Sequence, residues 1–254
     1  MKNILVHLDG GDRSHVRLEL AISLAKTHQA RLGAIFGQLA APHRVGVVAT
    51  WPSDAYAQMA TASRAGFTAA AADLPATCWH DANRGSAAAI AEVIGDIARC
   101  FDLTILGQGG DDSASPDIAA AILARSGRPA LVIPFAGAFP TIGRAPLLVW
   151  DDSPSAARAL SGAVALLDAQ TTPTVLVLTG KSVDTGKSQA VLDYLHGHGI
   201  TARVEHVAQG ESSPADLILN RAADLGTDLV VAGWSAGPGE ALLRHLTVPA
   251  LLAG

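Results

Sequence analysis

The sequence predicts an α/β protein made of two tandem, doubly wound domains, each with a five-stranded parallel sheet. Three observations carry this. Short apolar runs alternate with amphipathic helical stretches along the whole chain of 254 residues, and such alternation builds parallel sheets with right-handed crossovers. The order of those elements occurs twice. His80, Asp102 and Gly107 recur as His206, Asp228 and Gly233, each 126 residues on.

The elements follow in order. Ile4 to Leu8 is a buried strand ended by the turn Asp9-Gly10-Gly11. Val16, Leu18, Leu20, Ala21, Leu24 and Ala25 form the apolar set of a helix, with Arg17, Glu19 and Lys26 between them. Arg31 to Phe36 is the second strand, 37–55 a long loop with Pro42, Gly46 and Pro52, and 57–72 a helix. Thr77 to His80 is the third strand, and Ser86 caps a helix running to Arg99. Leu103 to Leu106 is the fourth strand, Ile118 to Arg125 a helix and Ala130 to Ile133 the fifth strand.

The second copy repeats this. Strands fall at 147–150, 174–178, 202–206, 229–232 and 250–252, with helices at 156–167, around 191–195, at 214–223 and at 242–246. Pro129-Ala130-Leu131 and Pro249-Ala250-Leu251 match at 120 residues, so the second copy has lost six residues between its fourth and fifth strands. The linker is Pro140-Thr141-Ile142-Gly143-Arg144, which gives domains 1–138 and 144–254.

Composition narrows the function classes. Hydrophobic residues make up 49% and charged residues 16%, enough to build a core and too few charges for disorder. A net charge of −5 argues against nucleic acid as a partner. Met1-Lys2-Asn3 leads straight into an apolar strand without signal-peptide architecture, and the Ala-rich stretches carry too many charges to span a membrane. With Cys78 and Cys100 the only cysteines, and no CxxC, the expectation is reduced thiols in a cytoplasmic protein.

In parallel sheets of this kind ligands bind beyond the carboxyl ends of strands where the strand order reverses. The residues standing there carry a resemblance. Ile4-Leu5-Val6-His7-Leu8-Asp9-Gly10 and Leu148-Val149-Trp150-Asp151-Asp152-Ser153-Pro154 resemble the start of a universal stress protein domain. So do Asp102 to Gly107, Asp228 to Gly233 and the Gly127 to Pro134 ending, and together they cover nearly the whole chain twice.

The resemblance implies an adenine nucleotide alpha hydrolase-like fold with strand order 3-2-1-4-5. It also implies pairing of the halves through their last strands as an intrachain pseudo-dimer, with a homodimer as a further option. It implies a stress-response protein, non-enzymatic, that acts by binding a ligand or partner. The alternative is an ATP-binding, slowly hydrolysing member that uses the first-half site. ATP is the cofactor so implied: an aspartate after the first strand accepts from ribose, and backbone N–H groups of a glycine-rich loop cradle phosphate. The candidate positions are Leu8, Asp9, Ile35, Gly107 and Gly110 in the first half and Asp151 and Gly233 in the second.

Both phosphate loops depart from the family pattern, which runs Gly, two residues, Gly, nine residues, Gly-Ser or Gly-Thr. Gly107-Gln108-Gly109-Gly110 fits its start, but Ala120-Ala121 or Pro116-Asp117 stands where Gly-Ser belongs, and Asp111 and Asp112 add negative charge. Gly233-Trp234-Ser235-Ala236 lacks the second glycine. The sequence therefore favours the first half for any nucleotide and makes the second its pairing partner.

Other motifs read more simply as structure. The segment 180–188 contains Gly-Lys-Ser twice but has five residues between Gly180 and Gly186, where a phosphate loop needs four. His80 and His206 are paired by duplication, and His196-Gly197-His198 is a helix-end turn without metal-ligand spacing. Ser153 is a helix cap before Pro154, not a nucleophile, and no catalytic set or metal site is identifiable by spacing.

Overall fold

The computed structural model describes all residues except 40–42, 46, 47, 51, 52, 83–85, 110–117, 168, 169, 180–184, 209 and 211, with backbone alone at 43–45, 48–50 and 185–187. It divides into two compact units, Met1–Arg128 and Pro129–Gly254.

The first unit runs β1 (Asn3–Leu8), α1 (Ser14–His28), β2 (Arg31–Phe36), β3 (His43–Val45), β4 (Val48–Thr50), α2 (Asp54–Ala70), β5 (Thr77–Asp81), α3 (Ala87–Ala98), β6 (Leu103–Gly107) and α4 (Ile118–Ser126). Its main strands lie in the order β5-β2-β1-β6, all parallel. Ile4, Leu5, Leu32, Ile35, Leu103 and Ile105 are fully buried between the helical layers, which is why these strands read as continuous apolar runs. Within the stretch expected to be a loop, β3 and β4 form an antiparallel ribbon.

The second unit contains β7 (Ala130–Ile133), β8 (Pro146–Trp150), α5 (Pro154–Ala163), β9 (Thr174–Thr179), α6 (Thr185–Gly197), β10 (Arg203–Ala208), α7 (Pro214–Asp224), β11 (Leu229–Gly233), α8 (Pro238–Arg244) and β12 (Ala250–Ala253). The strands β10-β9-β8-β11-β12 are parallel and follow the expected 3-2-1-4-5. The last strands of the two repeats pair with each other, as the resemblance implies. β7, the last strand of the first repeat, lies in the second unit and pairs antiparallel with β12, Ala250 opposite Val132 and Leu252 opposite Ala130. The physical reason is an open ladder: β12 offers its outer backbone groups, and an apolar strand with four buried residues satisfies them.

The duplication shows in matched hydrogen bonds. Asp102, just before β6, accepts from the N–H groups of Lys2 at 2.6 Å and Asn3 at 2.9 Å. Asp228, just before β11, accepts from Arg144 at 2.8 Å and Ala145 at 2.9 Å. Each aspartate thus clamps the start of its repeat's first strand, β1 or β8. Ser86, Ser153 and Ser213 each cap the following helix by accepting from the backbone N–H three residues on, as their sequence positions indicate. Pro154 and Pro214 occupy first helical turns, where no N–H is required.

The clamp makes a local prediction. Asp102→Ala should cost about 1 kcal/mol at the edge of β1. Hydrogen–deuterium exchange should then show the amides of Lys2 and Asn3 exchanging several-fold faster; unchanged exchange there would refute the clamp.

Candidate functional site

The first unit's candidate site forms where β1 ends. After Leu8 the chain turns through Asp9, whose Oδ1 accepts from Gly11 N–H at 2.9 Å. Aspartates favour such turns because their side chain can accept from the backbone two residues on. Gly10 N–H donates to Gln38 Oε1 at 2.5 Å. The Ser14 hydroxyl accepts from Asp9 N–H at 2.9 Å and lies 2.8 Å from both the carbonyl oxygen and Oδ1 of Asp9.

One helical turn on, Arg17 leans back over this turn, as helix side chains do. Its Nε donates to the His7 carbonyl at 3.0 Å, and its Nη2 to Asp9 Oδ2 at 2.8 Å and Ser14 Oγ at 2.9 Å. The Arg17 side chain is 5% exposed and that of Asp9 29%. Gly107, ending β6, completes the enclosure: a Cβ there would stand 2.6 Å from Arg17 Nη1.

The electrostatics follow from burial. Burial alone would raise the Asp9 carboxyl, but Arg17, His7, Ser14 and the Gly11 N–H together hold it below the usual carboxylate range. Burial and then Arg17 push the His7 imidazole down, against smaller opposing effects of Asp9 and Gly37. His7 Nε2 lies 2.6 Å from the Gly37 carbonyl, and a carbonyl only accepts, so Nε2 carries a proton; the lowered pKa leaves the ring neutral at pH 7. Oδ1 accepts from Gly11 and faces the Ser14 hydroxyl, and Oδ2 accepts from Arg17, so most of the acceptor capacity of Asp9 is used within the protein. On the α2 side, a cavity of about 660 Å³ opens beside the turn, floored by Leu8, Leu18, Met59 and Phe67.

The sequence-predicted residues fall as follows. Leu8, Asp9 and Gly107 come together around Arg17. Ile35 is fully buried in β2 opposite His7. Gly110 and the remainder of its loop to residue 117 lie outside the described residues. Asp151 and Gly233 stand at the matching strand ends of the second unit.

There the arrangement differs. Asp151 is exposed and accepts from Ser153 N–H at 3.0 Å. Counting from the two aspartates, the position of Arg17 is taken by Ala159, which is fully buried. A Cβ on Gly233 would stand 2.7 Å from the Ala156 nitrogen, so β11 ends hard against the first turn of α5. The sequence favours the first unit for a nucleotide; at the aspartate the two units differ, Asp9 being ion-paired with Arg17 and Asp151 having an alanine at the matching position. The segment with two Gly-Lys-Ser sequences lies outside the described residues up to 184. Among the described residues no cluster of three metal-ligating side chains occurs, and no helix is long and apolar enough to cross a membrane.

The sequence reading missed Arg17 as a site residue by taking it as a polar residue between apolar ones. It lies in the buried set of α1 with Leu20, Ala21 and Leu24, three, four and seven residues on. A charge in an apolar stripe needs a buried anion, and that spacing is the signal that could have found it.

No protein-family model matches the chain, and no curated protein matches it. Solved structures do. A universal stress protein from Archaeoglobus fulgidus is 14% identical, with a TM-score of 0.71 over 99% of this chain and 96% of that one. A protein from Pseudomonas aeruginosa, provisionally described as a universal stress protein, is also 14% identical, with a TM-score of 0.64 over 100% and 93%. The cytoplasmic domain of a prokaryotic cation chloride cotransporter is 12% identical, with a TM-score of 0.51 over 99% and 94%. The chain thus has the fold of the universal stress proteins in tandem form. The third likeness shows that this fold also occurs as part of a transporter.

His7 supplies a pH test. Its folded-state pKa lies below the ordinary 6.5, so the unfolded chain binds the proton first as pH falls. The stability this histidine contributes is complete above about pH 6.5 and is lost below it, by up to ~1.4 kcal/mol per pH unit. Urea denaturation between pH 7.5 and 5.5 should show a shallower loss in His7→Gln than in the wild type. Parallel curves would refute the assignment.

Proposed function

We propose that this protein is a universal stress protein-like binding module, non-enzymatic, acting through a ligand or partner, with nucleotide sites that have degenerated. The single observation that carries this reading is the Asp9–Arg17 pair. The aspartate expected to accept from ribose in the first unit is neutralised by a buried arginine of the helix that follows it. A carboxylate with its pKa held down is also a weak general base, which supports a non-enzymatic role. The fold supports the family reading, and the sequence supports a stress-response role in the cytoplasm; fold alone does not fix function.

A second reading rests on a specific observation. Asp151 keeps an exposed carboxylate after β8, so ATP binding, if retained, belongs to the second unit. Phosphate there would rely on the end of β11, where Trp234 N–H already donates to the Ala253 carbonyl at 2.7 Å. The shortened loop after it favours the first reading.

Isothermal titration of the full chain with ATP–Mg²⁺ separates the two. The first reading expects no saturable binding tighter than about 1 mM, or about −4 kcal/mol. Micromolar binding abolished by Asp151→Ala and kept in Asp9→Ala would establish the second. Micromolar binding abolished by Asp9→Ala would contradict the neutralising role of Arg17.

A further inference from the structure

The first unit carries a second cluster of chemistry-bearing side chains, on its edge strand. In β5, Trp79 faces one side, its ring 6.4 Å from that of Phe36 and 5.9 Å from that of Phe67. Cys78 and His80 face the other, as alternate residues of a strand do. Arg31, which opens β2, donates Nη2 to Cys78 Sγ at 3.0 Å. Cys78 Sγ lies 3.6 Å from His80 Nε2. Phe101 backs both flanking groups: the Arg31 guanidinium stands 5.7 Å from its ring centre, and the His80 ring meets it edge-on at 6.4 Å. The thiol is part-exposed.

This cluster is fitted to its place. Gly33 lies opposite Cys78 in the sheet. A Cβ there would stand 3.0 Å from Cys78 Sγ and 2.8 Å from the Phe101 ring, so the glycine makes room for both. The second unit is an internal control. It keeps the histidine, His206, but has Val204 where the first has Cys78, Val175 for Gly33, Pro173 for Arg31 and Thr227 for Phe101. Duplication accounts for the paired histidines. It does not account for a thiol, a guanidinium and a permissive glycine assembled in one copy.

The chemistry of such a group is nucleophilic. The thiolate is the reactive form, and cationic donors beside the sulfur favour it. A neighbouring imidazole within hydrogen-bond reach serves as base. Burial and then Arg31 push the His80 imidazole below its ordinary value, leaving it neutral and ready to accept.

We propose that Cys78 is a reactive thiol that exchanges with small, carboxylate-bearing disulfides, with His80 as its base and Arg31 holding both the sulfur and the incoming anion. In the step, the Cys78 S–H proton passes to His80 Nε2 and the thiolate attacks one sulfur of the disulfide. A new S–S bond forms to the protein as the original S–S bond breaks. The departing thiolate takes the proton back from His80. Cys78 is oxidised to a mixed disulfide, and one half of the reagent is reduced to a thiol.

The protein contains its own reference, the exposed Cys100 just beyond α3. Incubation with oxidised glutathione at pH 7, followed by peptide mass spectrometry, should show Cys78 modified about tenfold or more ahead of Cys100. Its lead should shrink with the uncharged hydroxyethyl disulfide. Arg31→Gln and His80→Gln should each slow Cys78 by about tenfold and leave Cys100 unchanged, with Arg31→Lys partly restoring the rate. Equal rates at the two cysteines of the wild type would overturn the proposal without any variant. So would an undiminished Cys78 rate in folded Arg31→Gln and His80→Gln proteins.

Discussion

The buried guanidinium of Arg17 ties the carboxyl end of β1 to the first turn of α1. It reaches the His7 carbonyl, the Asp9 carboxylate and the Ser14 hydroxyl from one planar group, a geometry that arginine's rigid fork suits and lysine's point charge does not. A guanidinium this deep cannot shed its charge, so its surroundings must answer it. Asp9 stays ionised, His7 stays neutral, and Gly107 lacks a side chain because one would collide with Nη1. Breaking such a pair by removing one partner leaves an uncompensated charge, which costs several kcal/mol in buried settings. The aspartate that the resemblance places at a ribose is therefore already ion-paired with the protein's own helix.

The two units share a scaffold and have diverged at the ends of their strands. The scaffold is alike in both in detail, down to Asp102 and Asp228 clamping the starts of β1 and β8. The divergence is concentrated where chemistry would occur. Arg17 in the first unit is replaced by Ala159, and the thiol environment of Cys78 is replaced by Val204 and Val175. A packed core tolerates little change in volume or polarity, whereas strand ends and turns are free to vary. One duplication has thus produced an ion-paired turn in one unit and an exposed aspartate in the other.

Much of the fold is legible in the sequence because it rests on local rules. Apolar runs mark the strands, serines before prolines or small residues mark helix starts, and the spacing of His80, Asp102 and Gly107 against their partners marks the duplication. Two things are not legible. The β3–β4 ribbon sits in a stretch rich in glycine and proline, where pairing depends on neighbours rather than on period. The role of Arg17 depends on burial, which periodicity reveals only if the charge is counted as part of the apolar stripe. At the site, the sequence points to Asp9 and Gly107 but not to the group that joins them.

The pairing of Asp9 with Arg17 is tested most directly at the Asp9 carboxyl itself. Its titration can be followed by carbon-13 NMR of the side-chain carboxyl in the wild type and in Arg17→Met. The wild-type group should titrate below the usual carboxylate range, and removal of the guanidinium should move it clearly upward, because burial then acts with less opposition. Titration at the same pH in both proteins would contradict the account.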